Sequence, residues 1–137
     1  MVGSCTCNSC RLAAGMEVVQ WAYVPVLNIS LDAEGKVPFS REIGTLKHYR
    51  SSDRATRHFC GKCGASVFWD GHDRPMVIDV AVGLLDAPEG SRAKSWLDGW
   101  STRLSYREDA IGRADSILLG LEDGMKKLSE HVTGKKT

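Results

Sequence analysis

A mainly β domain closed by a C-terminal helix is the fold class this sequence predicts, and three observations predict it. β-Branched and aromatic runs alternate with clusters of turn-forming residues as far as Leu85. Beyond Ser105 the apolar residues recur in steps of three and four. Five cysteines fall into two tight groups, Cys5 to Cys10 and Cys60 to Cys63, the kind of grouping that organises a small fold around metal. At 137 residues, 42% hydrophobic and 26% charged, the chain suits one globular domain with a modest core.

Taken in order, Gly3 to Gly15 is small, polar and cysteine-rich, too short for a core element and suited to a metal-organised loop. Val18 to Leu31 is β-branched and aromatic and interrupted at Pro25, which predicts two short strands or one bent edge strand. Leu46 to Ser51 reads as a further short strand. The turn from His58 to Gly64 leads into Ala65 to Trp69, and the turn formers Asp70 to Pro75 separate that run from the apolar Met76 to Leu85, which predicts a hairpin. Ser105 and Glu108 have the spacing of a capping box, with Asp109 adding negative charge to a first helical turn. Ile111, Ala114, Leu118, Leu121, Met125, Leu128 and Val132 then form one helical face. Gly112, Gly120 and Gly124 each cost about 1 kcal/mol relative to alanine inside a helix, so a bend or break is expected there. The division that follows is a β domain over 1–107, a helical segment over 108–132 packed on it, and a frayed tail at 133–137. Packing on the domain's own sheet is the plainer use of the helical face; a dimer or partner interface is the other.

Formal net charge is +1 and the basic residues are scattered, so no footprint for a phosphate backbone is present and nucleic acid is not an expected partner. The start Met1-Val2-Gly3-Ser4-Cys5 lacks a signal peptide's basic and apolar regions, and no apolar run approaches membrane-spanning length. A cytoplasmic, reducing setting is expected. An odd number of closely grouped cysteines there argues for metal or thiol chemistry over a disulfide framework.

Cys60-Gly-Lys-Cys63-Gly has the form of a zinc knuckle, two thiolates three positions apart with glycines relieving the tight turn. A dithiol redox site is the competing chemistry, weakened by Gly-Lys between the cysteines and by the lack of a following helix pattern. Cys5-Thr-Cys7-Asn-Ser-Cys10 is denser, and its three thiolates can hold one ion without distant help. Three protein ligands on a tetrahedral zinc keep a fourth position for water or substrate, as catalytic sites do. The alternative is that two of the three join Cys60 and Cys63 in one closed site while the third stays a free thiol.

Cys5-Thr-Cys7-Asn-Ser-Cys10-Arg11, Trp21-Ala22, Tyr49-Arg50-Ser51-Ser52 and Arg57-His58-Phe59-Cys60-Gly61-Lys62-Cys63-Gly64 together resemble the glutathione-dependent formaldehyde-activating enzyme and centromere protein V family, from Cys5 to about Trp100. The resemblance implies a domain of small antiparallel sheets, the β-tent, with two zinc sites. It makes Cys5, Cys7 and Cys10 ligands of an open zinc and Cys60 and Cys63 half of a closed one. The family completes the closed site from a CxC motif on an earlier strand, which the sequence does not contain. A missing natural start, completion by His58 or another chain, and recruitment of Cys5 and Cys7 remain the three ways out.

The implied activity is that of a carbon-sulfur lyase or related enzyme using zinc and acting on an adduct of glutathione, or a similar thiol, with a small electrophile. A non-catalytic zinc module that binds a protein partner is the alternative. Trp21, Arg50, Ser52 and Arg57 are the candidate substrate-binding residues, the last three because the stretch before the knuckle approaches the open zinc by resemblance. Core packing and a solvated loop are their plainer roles. Trp96 and Trp100 would share a face if they lay on a helical turn. An unpaired sheet edge would make a homodimer the simplest assembly.

Overall fold

The computed structural model describes residues 1–97 and 100–133. In chain order the elements are β1 (Val2–Cys5), α1 (Asn8–Ala14), β2 (Val19–Pro25), β3 (Leu46–Ser52), β4 (Ala55–Cys60), β5 (Ser66–Gly71), β6 (Val77–Ala81), β7 (Trp100–Ser105) and α2 (Asp115–Thr133). The strands form one sheet in the order β3-β4-β5-β6-β2-β1-β7. Its ladders are antiparallel except where β7 lies parallel to β1. The protein is thus mainly β with a C-terminal helix. Among the described residues no helix is long and apolar enough to cross a membrane.

The β5–β6 hairpin forms where the turn residues predict it, with Trp69 opposite Asp79. Three expectations need correction. The segment from Gly3 does not begin as a loop: Val2–Cys5 is a fully buried strand held between β2 and β7. Its small residues hide this role from a hydrophobicity reading, and smallness is what the position requires. A Cβ on Gly3 would stand 2.1 Å from the Tyr23 hydroxyl oxygen, because the Tyr23 ring lies across the strand there. Val18 to Leu31 gives one interior strand rather than an edge strand or a pair. Pro25 is its last residue, and a 3-10 turn at Val26–Asn28 follows.

The helix also starts later than the capping box suggests. Ser105 ends β7, a 3-10 turn occupies Arg107–Ala110, and α2 begins at Asp115, whose Oδ1 accepts the Gly112 N–H at 3.0 Å. Gly112 adopts a left-handed φ of 76°, which glycine tolerates and which separates the two turns. Ile111, before the break, is exposed, whereas Ala114 and Leu118 are buried. Trp96 lies in an exposed turn and Trp100 opens β7, so the two share no helical turn. Of the tail expected to fray, 134–137 lie outside the described residues.

The two faces of the sheet carry different cores. Val2, Ala22 and Val82 pack on one face, where Ser4 contacts Met125 of α2. Leu104, Ala110 and Leu118 join α2 to β7. Cys5, Val19 and Trp21 pack on the other face with Cys10 of α1. Strand alternation assigns Arg57 and Phe59 of β4 to that second face and His58 and Cys60 to the first.

Candidate metal centre

Three thiols meet where β1 gives way to α1. Cys5 ends the strand, Cys7 is the N-cap of α1 with its Sγ accepting the Cys10 backbone N–H at 3.2 Å, and Cys10 lies in the first turn. Gly15 closes α1 in a left-handed conformation, its N–H returning to the Arg11 carbonyl. The three sulfurs all lie within 4.8 Å of one another. Zinc with sulfurs at about 2.3 Å requires tetrahedral sulfur neighbours about 3.8 Å apart, so the set fits a thiophilic ion with little movement. Cys5 and Cys10 are buried and Cys7 is the most exposed of the three. Among the described residues no other three His, Cys, Asp or Glu side chains gather so closely.

Distant chain holds this loop in place. The Thr6 N–H donates to the Ser105 carbonyl at 3.0 Å, and the Thr6 hydroxyl is shared between the carbonyls of Ser105 and Tyr106. Asp109 accepts the Asn8 N–H at 3.0 Å. Arg113 donates to the Thr6 carbonyl at 3.2 Å and also pairs with Glu17.

Trp21, only 3% exposed, forms part of the floor with Val19, and Trp69 and Tyr23 pack against them. Arg57 reaches the cluster from β4. Its side chain is buried, its Nη2 donates to Ser9 Oγ at 2.9 Å and Cys10 Sγ at 3.3 Å, and its Nε and Nη1 have no hydrogen-bond partner among the described residues. A buried guanidinium is costly unless a negative charge faces it. Cys10 is placed to carry that charge: hydrogen bonds from the Cys5 and Cys7 thiols, then the Arg57 hydrogen bond and charge, pull its pKa well below the usual thiol range despite burial. Cys5 and Cys7 are pushed up in turn, chiefly by donating to Cys10. With an ion present, three thiolates on a divalent cation leave one net negative charge, which the Arg57 cation balances.

A second charged pair lies on the same face. The Arg74 guanidinium sits 5.0 Å from the Trp69 ring centroid and 5.6 Å from that of Tyr23, and its Nη2 donates to Asp79 Oδ2 at 2.8 Å. Asp79 is buried, its Oδ1 has no hydrogen-bond partner among the described residues, and burial pushes its pKa up. Nothing in the sequence reading singled out Arg74 or Asp79. A lone carboxylate inside the apolar run Met76 to Leu85 is the signal that marks such a residue.

Of the residues expected at the site, Trp21 and Arg57 adjoin the three thiols. Arg50 and Ser52 do not. Arg50 pairs in register with Thr56, on the opposite face from Arg57, and its guanidinium donates to the carbonyls of Ser52 and Asp53 in a local turn. Ser52 Oγ accepts the Arg54 N–H in that turn. Beside Arg57 and His58, a cavity of about 230 Å³ is lined by Ala13, Tyr49, Phe59, Gly64 and Ser66, and extends from α1 toward the knuckle.

Cys60 and Cys63 stand apart from the cluster in an exposed turn. Gly64, with φ 78°, donates its N–H to the Cys60 carbonyl at 2.9 Å, and the Gly61 N–H reaches the Thr45 carbonyl at 2.8 Å. Cys60 Sγ lies 3.3 Å from Thr45 Oγ1. That contact, with the backbone N–H groups of Cys63 and Lys62, lowers its pKa to about 6. His58 is buried on the same face as Cys60, with its Nε2 3.8 Å from Asp70 Oδ2, and it joins no group of metal donors.

Among curated proteins none matches the chain. The sequence profile described as glutathione-dependent formaldehyde-activating enzyme matches residues 1–101, which takes in all five cysteines, Arg57 and both floor tryptophans. The chain therefore belongs to the glutathione-dependent formaldehyde-activating enzyme family.

Proposed function

We propose that the protein is a zinc-dependent carbon-sulfur lyase, or a closely related enzyme, acting on adducts of glutathione or a similar thiol with a small electrophile such as an aldehyde. The observation that carries this reading is the three-thiol set of Cys5, Cys7 and Cys10, backed by a buried arginine and lacking a fourth protein donor among the described residues. When bound there, zinc supplies positive charge that favours the deprotonated form of an incoming thiol and a vacant position suited to a soft donor. Cys60 and Cys63 are read as ligands of a second ion, and the cytosol as the setting.

The chain's own residues divide the remaining work. Arg57 fixes Cys10 and Ser9 and neutralises the thiolate charge. Tyr49 and Phe59 present an aromatic edge to the cavity beside Arg57, where the body of a thiol peptide can lie. Trp21 and Trp69 close the floor, and Arg74 keeps Asp79 charge-paired beneath it. In the synthetic direction the thiolate sulfur forms a bond to the carbonyl carbon, and the carbonyl π pair moves to oxygen, which takes a proton. In the lyase direction that proton leaves, the carbonyl re-forms and the carbon-sulfur bond breaks, returning thiolate and aldehyde.

The test combines metal analysis, binding and turnover. The purified, reduced protein should contain zinc, and glutathione or its aldehyde adduct at one hundred times its dissociation constant should stabilise it by about 2.7 kcal/mol, read as a shift in melting temperature. Cys7→Ser should abolish turnover and lose the cluster ion while keeping the fold. If no thiol or adduct shifts the melting curve and Cys7→Ser retains full activity, the enzyme reading fails. A zinc module without catalysis would then be the better account.

A further inference from the structure

The turn before β6 carries a cation held in one place. Arg74 is pinned at its backbone, its N–H donating to the Gly71 carbonyl at 3.1 Å and its carbonyl accepting the Val77 N–H at 3.0 Å. Its guanidinium carbon stands 5.0 Å from the Trp69 ring centroid and 5.6 Å from that of Tyr23. Asp79 stands between those two residues in the sheet, in register with Tyr23 of β2 and with Trp69 of β5. It is 5% exposed and accepts from Arg74 Nη2, the one hydrogen bond of that guanidinium among the described residues. The Arg74 side chain nevertheless remains 35% exposed. Five N–H donors are thus held in a fixed direction and only one end of the fork is used, so a ligand meeting the rest does not have to freeze a mobile arginine.

The platform under Arg74 is also a wall of the thiol cluster. Tyr23 and Trp69 pack against the group that contains Cys5 and Cys10, and Trp69 pairs in register with Arg57. The charge of Cys10 is near enough to act on Asp79, and that of Cys5 on the Tyr23 hydroxyl. Two other arginines beside the cluster are committed: Arg57 is 3% exposed and bonded to Cys10 and Ser9, and Arg113 pairs with Glu17 and donates to the Thr6 carbonyl. We propose that Arg74 is the carboxylate-recognising residue of the site, binding a terminal carboxylate of a thiol peptide whose sulfur lies at Cys5, Cys7 and Cys10, and so selecting acidic thiol peptides over neutral thiols. The proposal rests on the thiol-adduct reading of that cluster. A peptide of three residues spans about 10 Å, enough to cross the Trp69 and Tyr23 rings from the sulfurs to the guanidinium. The planar fork suits a carboxylate, and Asp79 is its positioning residue, acting through Arg74.

Calorimetric titration of the reduced, metal-analysed protein tests this with three probes: glutathione, its diethyl ester, and mercaptoethanol. Wild-type protein should bind glutathione about ten- to hundredfold more tightly than the ester, the worth of a hydrogen bond to a charged group. Arg74→Gln should erase most of that advantage and leave metal content and the affinity for the ester and mercaptoethanol unchanged, while Arg74→Lys keeps part of it. In turnover the loss should appear as a raised KM for a glutathione adduct with kcat unchanged. Arg74→Gln leaves Asp79 buried without its cation, so the double variant Arg74→Gln with Asp79→Asn repeats the test with no stranded charge. Equal binding of glutathione and its ester by wild-type protein, or an advantage that survives in full in these variants, would overturn the proposal and leave the thiol-adduct reading standing. A uniform loss of affinity for all three probes would give Arg74 a structural role only and overturn it as well. If wild-type protein binds none of the three, the thiol-adduct reading fails and the proposal fails with it.

Discussion

One strand, β4, serves both cysteine groups, and it serves them in opposite ways. Arg57 reaches from it to a buried cluster, while Cys60, three residues on, belongs to an exposed turn. The cluster is assembled from far apart: its sulfurs come from a strand end and a helix start, its counter-charge from β4, and its clamps from Ser105, Asp109 and Arg113. The knuckle is made almost entirely by its own five residues and Thr45. Burial explains the difference. A thiolate removed from water needs a fixed positive charge, and only tertiary structure can deliver one; a thiolate at the surface needs only the N–H groups of its own turn.

The sharpest way to break this contrast is Arg57→Met, which removes the buried counter-charge. Removing one member of a buried charge pair costs about 3–5 kcal/mol. Thermal or urea denaturation should register a loss of that size, and zinc affinity at the cluster should fall while metal binding at the proposed Cys60 and Cys63 site should be unaffected. Arg57→Lys should recover part of the loss. Equal weakening of both sites would show that the two groups are not independently built.

Gly3→Ala probes the cluster through its strand. The added carbon meets the Tyr23 hydroxyl at 2.1 Å, an overpacking expected to cost about 1–3 kcal/mol. Tyr23→Phe in the same chain removes the clashing atom and should recover part of that cost, so a double-mutant cycle in denaturation should show coupling between the two positions. Additive losses would place the strain elsewhere.

Reactivity sharpens the contrast from the knuckle's side. With its pKa near 6, Cys60 in the metal-free protein is half thiolate at that pH, when an ordinary cysteine is almost wholly protonated. Allowing for the lower nucleophilicity of an acidic thiol, alkylation at pH 6 should be about tenfold faster at Cys60 than in the unfolded chain. The rate should level off above about pH 7. Mass spectrometry of quenched samples reads the rate, and zinc should suppress it.

The smallest effect concerns His58, behind the knuckle. Burial lowers its pKa below 6.5; Asp70 opposes this, and His48 and Arg41 reinforce it. The folded state therefore holds the ring neutral while the unfolded chain takes a proton below about pH 6.5, so stability should decline as the pH falls from about 7 to 5.5. His58→Gln should flatten that slope in melting temperature. An unchanged slope would assign it to other groups.

The sequence made the knuckle and the hairpin legible because both depend on neighbours in the chain: Cys60, Gly61, Cys63 and Gly64 carry their own geometry, and the Asp70 to Pro75 turn carries the hairpin. Cys5, Cys7 and Cys10 could be recognised as a donor set for the same reason. Their surroundings could not. β1 reads as loop because Gly3 and Ser4 are buried by two flanking strands rather than by their own apolarity. Arg57 is marked only by the family resemblance, its contact with Cys10 emerging from the register of β4, and Asp79 is hidden within an apolar run. The start of α2 was missed because the capping-box spacing at Ser105 is satisfied in a strand end, while Asp115 caps the break at Gly112.

The C-terminal clamp on the cluster gives synthesis an order. Cys5, Cys7 and Cys10 leave the ribosome first, yet Ser105, which holds Thr6, follows 99 residues later. At about 5–20 residues per second that is an interval of about 5–20 s in which the thiols are made but not yet enclosed. During it they are open to metal exchange and oxidation, and the strand that carries them has no neighbour on its β7 side. The segment that seals the cluster follows its sulfurs in synthesis, and it would fix when a metal acquired early becomes hard to lose.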